Sequence, residues 1–105
     1  MNTSDRRAYE MCRLALVHLT ADPDGVTAKA LANIAVWERN GTCHPWYVER
    51  WRHLLAQPVG VEAVLMAEND EGQMLRANNP FAGVLTPAER AMIRAVGAGS
   101  MGRAA

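Results

Sequence analysis

Apolar residues recur at intervals of three and four through most of the chain, the spacing that lines one face of an α-helix. The pattern is clearest near the N-terminus, at Ala8, Met11, Cys12, Ala15, Leu16 and Leu19. Charged residues fall largely between these positions. With Ser4 as the N-cap, the spacing predicts a helix over residues 4–20.

A second helical pattern follows the predicted turn Asp22-Pro23-Asp24-Gly25. Thr27 suits the N-cap of this helix, and Gly41 suits the left-handed position just past its end. The stripe expected to face the core is rich in alanine, which permits close approach by a neighbouring helix. It comprises Ala28, Leu31, Ala32, Ala35 and Val36, with Ile34 beside it.

The third helix is predicted to begin at Pro45, because proline at the first helical position loses no hydrogen bond. Pro58 marks its end. Its apolar face comprises Tyr47, Val48, Trp51, Leu54 and Leu55.

The segment after the third helix allows two interpretations. An apolar pattern from Val61 starts a fourth helix, and Asp70 and Gln73 stand at the spacing of a capping box for a short fifth helix. A single bent helix over residues 60–77 is the alternative.

Residues 78–85 read as a loop that carries Phe81, Val84 and Leu85. Because these side chains are apolar, we expect the loop to fold back on the body of the protein. As a core residue, Phe81 would matter for stability; as a binding residue, it would hardly affect folding.

A strong signal for a last helix lies in Thr86, Pro87 and Glu89, which supply a cap, a first-turn proline and a capping-box glutamate. We expect this helix to reach about Val96. The small residues of 97–105 are typical of a flexible tail.

The predicted fold is therefore all-α, a compact bundle of five or six short helices with a flexible C-terminal tail. The length of 105 residues suits one domain. We expect a single helical domain over 1–96 and the tail over 97–105. Helices this short depend on tertiary packing for their stability.

The charges balance at 11 basic and 11 acidic side chains, which argues against coating nucleic acid or anionic membrane through bulk charge. No apolar run approaches the roughly 18 residues that span a bilayer. No signal-peptide core follows the polar start. We expect a cytoplasmic, bacterial-type protein without membrane contact, in which Cys12 and Cys43 stay reduced.

The charge is nevertheless uneven along the chain. Residues 59–89 carry five acidic side chains and one basic, whereas residues 90–105 carry three basic side chains and no acidic one. The acidic stretch around Glu68, Asp70 and Glu71 can face a basic partner or simply face water.

Signatures of catalysis and metal binding are missing from the sequence. There is no P-loop, GxGxxG, HExxH or paired CxxC motif, and the adjacent Cys43 and His44 match no zinc spacing. We therefore expect a protein that is not an enzyme and that has no metal site and no cofactor.

The most unusual segment holds all three tryptophans of the chain among basic side chains. We define an aromatic–arginine patch as Trp37, Arg39, His44, Trp46, Arg50, Arg52 and His53. Aromatic rings beside arginine anchor protein partners and nucleic acids. In the alternative interpretation, Trp37 and Trp51 belong to the core, Trp46 caps it, and the arginines lie over them.

The stretch Val26-Thr27-Ala28-Lys29-Ala30-Leu31-Ala32-Asn33-Ile34-Ala35 resembles the first helix of a bacterial helix-turn-helix. This resemblance implies that the helix from Pro45 reads DNA, with Arg50, Arg52 and His53 on phosphates or guanine edges. Residues 36–44 then separate the two helices, a longer connection than the usual tight turn.

Together these features favour a regulatory module that binds a protein through the aromatic–arginine patch. Its small size suggests the small partner of a toxin–antitoxin or phage-defence or counter-defence pair. The alternatives are a helix-turn-helix DNA-binding regulator and a homodimer whose seam is the aromatic segment.

Overall fold

The computed structural model describes residues 2–96, and this part of the chain contains six α-helices and no strand, which confirms the all-α prediction. The helices are α1 (Thr3–Ala21), α2 (Pro23–Asn40), α3 (Pro45–Ala56), α4 (Val61–Leu65), α5 (Asp70–Ala77) and α6 (Pro87–Ala95), with a 3-10 turn at Pro58–Gly60. The predicted tail at 97–105 lies outside the described residues. No helix in the described range combines the length and apolar character that a bilayer crossing requires.

The start of α1 lies slightly before the predicted one, and its N-cap is Asn2 rather than Ser4. The Asn2 side chain accepts a hydrogen bond of 2.9 Å from the backbone N–H of Asp5. The Asp5 carboxylate accepts one in return from the N–H of Asn2. Asn2 is favoured as the N-cap over Ser4 because this capping box with Asp5 gives hydrogen-bond partners to two backbone N–H groups that have none within the helix.

The predicted turn at 22–25 is wrong, because Pro23 already begins α2. Asp22 is the N-cap and accepts a 3.1 Å hydrogen bond from the N–H of Gly25. Thr27, the expected cap, lies inside the helix. At the other end, Gly41 has a φ of 62°, which confirms the predicted left-handed residue.

The predicted core stripe of α2 is also wrong, because the helix turns a different face inward. Val26, Ala30 and Ile34 are buried, whereas Leu31 and Val36 are 40% and 39% exposed. The alanines of the predicted stripe are exposed with them. Both faces have helical spacing and large apolar residues, so the neighbouring helices decide which of the two faces is buried.

Residues 60–77 form two helices, so the alternative of one bent helix is excluded. Asn69 is the N-cap of α5, and its side chain accepts a 2.8 Å hydrogen bond from the N–H of Gly72. The cap thus lies one residue before the predicted Asp70.

Residues 78–85 form a strap that packs on the body, as predicted. Phe81 is fully buried and meets Trp51 edge-on, with ring centroids 5.4 Å apart. The side-chain amide of Asn33 donates to the carbonyls of Pro80 and Ala82 at 2.8 and 2.9 Å, which fastens the strap to α2.

Helix α6 begins as predicted, with Thr86 and Glu89 forming a reciprocal capping box. It differs from the longer helices in having no fully buried residue. Ile93, which is half-buried, packs against the core.

Candidate functional site

Helix α3 lies between α2 and α5 and is fastened to both by ion pairs. Arg50 donates from Nε and Nη2 to Glu71 of α5, at 2.9 and 2.6 Å. Arg52 donates from Nη2 and Nη1 to Glu38 of α2, at 2.8 and 3.2 Å. Positions two apart on a helix point to opposite flanks, so the two arginines hold α3 from both sides.

The outward side of α3 is a ridge formed by Trp46, Glu49 and His53, all exposed. Trp46 leaves 39% of its area in solvent and meets Tyr47 edge-on at 5.1 Å. The inward side carries Trp51, which is fully buried. Helical spacing therefore sorts the aromatic residues of α3 into a core set and a surface set.

His44 fixes the start of this ridge. Its Nδ1 accepts a 3.1 Å hydrogen bond from the backbone N–H of Trp46, so the ring acts as the N-cap of α3. Pro45 follows at the first helical position, where no N–H is needed. This cap thus fixes the backbone that carries Trp46.

The structure brings together only part of the aromatic–arginine patch. Trp46 and His53 share the exposed ridge, and Arg50 lies on its flank, where it pairs with Glu71. Arg52 points to the opposite flank, towards Glu38. Trp37 is half-buried against the core, and Arg39 is exposed on the last turn of α2.

The sequence did not predict that Glu71 pairs with Arg50 or that Glu38 pairs with Arg52. Arg52 lowers the pKa of Glu38, by a side-chain hydrogen bond and by its positive charge. Glu38 and Glu71 lie 14 and 21 residues from their partners, so no local spacing reveals the pairs. The excess of acidic residues in 59–89 was the one sequence feature that indicated a basic partner for this segment. It includes Glu71 but not Glu38.

The connection between α2 and α3 is shorter than residues 36–44, the segment left between the two helices in the helix-turn-helix alignment. Because α2 continues to Asn40, only residues 41–44 separate the two helices. A short glycine-containing connection of about 3–4 residues is also what joins the helices of a helix-turn-helix.

Among residues 2–96, no group of three or more His, Cys, Asp or Glu side chains is placed to hold a metal ion. Comparison of the chain with protein-family models, curated proteins and solved structures gives no match.

Proposed function

We propose that this protein is a small regulatory module that binds a protein partner through the α3 ridge and its flanking arginines. The observation that supports the proposal best is Trp46, a large aromatic side chain exposed on a helix that ion pairs hold on both flanks. Aromatic anchors on a preorganised surface concentrate binding energy, because little conformational freedom is lost on docking.

The ion pairs define what the arginines contribute. Arg50 and Arg52 already contact carboxylates of neighbouring helices, so their first role is to orient the ridge. Both pairs remain partly exposed to solvent, with Glu71 at 44% and Glu38 at 57% of their side-chain area. A partner can therefore contact these arginines at the rim, where charge contributes more to specificity and association rate than to affinity.

The test compares Trp46→Ala with Val59→Ala, which truncates a valine that is 99% exposed on the Pro58–Gly60 turn. Each variant and the wild type are used to capture proteins from host lysate after nuclease treatment, and the affinity of any stoichiometric protein is then measured. We expect Trp46→Ala to lose about 2 kcal/mol or more of binding free energy. Equal affinities for both variants and the wild type would exclude the ridge as the docking site.

A toxin–antitoxin or phage-defence pair is the biological setting we propose for such a module. In either setting the captured protein would be the product of a neighbouring gene. A partner encoded elsewhere would contradict this setting without affecting the role of the ridge.

DNA binding is the second candidate, and the short connection at residues 41–44 favours it. In that function α3 enters the major groove, and Arg50 and Arg52 leave their glutamates for phosphates or guanine edges. Affinity for duplex DNA must then fall steeply with salt, because each phosphate contact releases counterions. Arg52→Gln should reduce that slope by about one unit. Weak affinity that does not depend on salt would contradict this function.

A second copy of the chain is the remaining candidate occupant of the ridge. Light scattering of the wild type and of Trp46→Glu measures the molecular mass in solution and so tests whether the ridge forms a dimer. A wild-type dimer that becomes a folded monomer in the variant would assign the ridge to self-association.

A further inference from the structure

An apolar groove lies between the strap and α6, away from the α3 ridge. Its volume is about 360 Å³. Apolar side chains of α1, the strap and α6 form most of its walls, and two arginines of α6 complete it. The lining residues are Met11, Phe81, Ala82, Gly83, Leu85, Arg90, Ile93 and Arg94.

The two arginines are the polar feature of the groove. Arg90 and Arg94 are four positions apart, so they stand side by side on one face of α6. Both are exposed, and neither forms a salt bridge within residues 2–96. They contrast with Arg50 and Arg52, which neighbouring helices neutralise.

Further cations lie next to the groove. Arg7 donates to the carbonyls of Val96 and Arg94 at 3.0 and 3.2 Å, which places a guanidinium at the C-terminal end of α6. The ammonium group of Lys29 donates to the carbonyl of Gly83, a lining residue, at 3.1 Å. Arg7 and Lys29 thus add to the two arginines of α6 as basic side chains beside the groove, and Glu89 is the acidic side chain of α6.

The walls are fastened independently of any ligand. Phe81 is fixed against Trp51, and Asn33 holds the strap at Pro80 and Ala82. On the other wall, His18 and Glu89 approach to 2.8 Å and hold the start of α6 against α1. A groove that exists before binding costs little ordering entropy when it is filled.

We propose that this groove binds an acidic amphipathic segment of a partner protein. Apolar side chains of the segment would contact the accessible apolar lining at Met11, Ala82 and Ile93. Two carboxylates of the segment would meet Arg90 and Arg94. Guanidinium groups suit carboxylates because their planar N–H groups donate in pairs. Helical segments that lay an apolar face into a groove are a common mode of recognition.

The chemistry of the lining favours a peptide over nucleic acid. Most of the floor is apolar side chain, which contributes nothing to phosphate binding, and the arginines stand on one rim only. The groove also differs from the α3 ridge in every residue, so this proposal and the proposed function succeed or fail separately.

The experiment is selection from a displayed library of random peptides against the folded wild-type chain. We expect the enriched peptides to combine apolar residues with Asp or Glu at helical spacing. Their affinity is then measured for Arg90→Glu and Arg94→Glu, and for the control Arg6→Glu. Arg6 is an exposed arginine of α1 without a salt bridge in the described part of the chain, so all three variants change the net charge equally.

Each groove variant should weaken binding by about tenfold or more, and Arg6→Glu should leave it within about twofold. A peptide with Lys in place of the acidic residues should bind the double variant Arg90→Glu/Arg94→Glu better than it binds the wild type. Such a charge swap separates recognition from any loss of folding, which circular dichroism also monitors. If the reversed charge prevents folding, the same affinities are measured with Arg90→Gln and Arg94→Gln, which remove the charge without reversing it.

Several results would overturn the proposal. These are a library without enrichment, enriched peptides that lack acidic residues, and affinities that the groove variants leave unchanged. Self-association of the wild type that Arg94→Glu abolishes would assign the groove to a second copy. Enrichment only after deletion of residues 97–105 would assign it to the C-terminal segment of the chain itself.

Discussion

The most unusual single residue of the fold is Arg76, which is 3% exposed and forms no salt bridge with the described residues. Its Nη1 donates to the carbonyls of Leu65 and Ala67, at 2.8 and 2.7 Å. Carbonyls at the end of a helix have no partner within that helix, and here a cation from α5 supplies it. The guanidinium carbon also lies 5.3 Å from the ring centroid of Tyr9.

Replacing Arg76 by methionine should therefore destabilise the protein although the new side chain is apolar. The change removes the donor from a buried carbonyl at Leu65 and from a partly buried one at Ala67. We expect a loss of about 3 kcal/mol in the free energy of unfolding. Urea unfolding followed by circular dichroism measures this loss. Arg13→Met, at an exposed position of α1, is the control and should cost less than about 0.5 kcal/mol.

The difference in burial between the two cysteines predicts a difference in their reactivity. Cys12 has no solvent exposure, and desolvation of the thiolate raises the pKa of its thiol to about 12. Cys43 is partly exposed. At pH 8 we expect a thiol reagent to modify one cysteine per folded chain and two per chain in denaturant. Mass spectrometry identifies the site, and fast modification of Cys12 in the folded state would contradict the expectation.

At the scale of elements, α6 has polar contacts to other parts of the chain at both of its ends. Thr86 and Glu89 form the capping box at the start, and Glu89 also bonds to His18 of α1. Arg7 holds the carbonyls at the other end. No residue of α6 is fully buried, whereas α1 and α3 each have several buried residues. We therefore expect the end contacts to matter more for the attachment of α6 than for that of α1 or α3.

This attachment should weaken in acid. The backbone N–H of Thr86 and the side chain of His18 both donate to the carboxylate and lower the pKa of Glu89 below its ordinary value. The unfolded chain therefore takes up this proton more readily than the folded chain. The stabilisation is complete above the ordinary pKa and is lost as the pH falls below about 4.

Hydrogen exchange measures the expected change. Amides of α6 should lose protection between about pH 5 and pH 3 relative to those of the buried residues Cys12 and Ala15 of α1, after correction for the intrinsic pH dependence. Glu89→Gln should show lower protection that no longer changes over this range. An identical pH response in wild type and variant would show that another group is responsible.

Several elements were predictable from the sequence and others were not, and the difference has a physical cause. Thr86, Pro87 and Glu89 act within one turn, so local spacing defines the start of α6. Helix α2 has two apolar faces at the same spacing, and the choice between them depends on what packs against it. The Arg52–Glu38 pair depends on the same packing, so no local pattern reveals it.

At the scale of the whole molecule, the contact between Trp51 and Phe81 joins α3 to the strap at the centre of the core. Trp51 also donates its indole N–H to the carbonyl of Asn78 at 2.8 Å, so the strap is fastened by apolar and polar contacts together. The ridge lies on the solvent-facing side of α3, the helix that carries Trp51, and the groove borders the strap at Phe81.

Phe81→Ala should for this reason destabilise the entire fold, by about 3 to 5 kcal/mol in the free energy of unfolding. Thermal and urea unfolding measure the loss. Val84→Ala, at a half-buried position of the same strap, is the control and should cost clearly less. A small loss at Phe81 would mean that the strap contributes to binding rather than to stability.

The three tryptophans lie at three depths, and this grading gives the protein an intrinsic optical reporter. Trp51 is fully buried, Trp37 is half-buried, and Trp46 leaves 39% of its area in solvent. A dissolved quencher such as iodide reaches Trp46 first and Trp51 only when the chain unfolds. Fluorescence therefore distinguishes a ligand on the ridge, which shields the red-shifted emission of Trp46, from loss of the fold, which shifts the emission of Trp51 to longer wavelength.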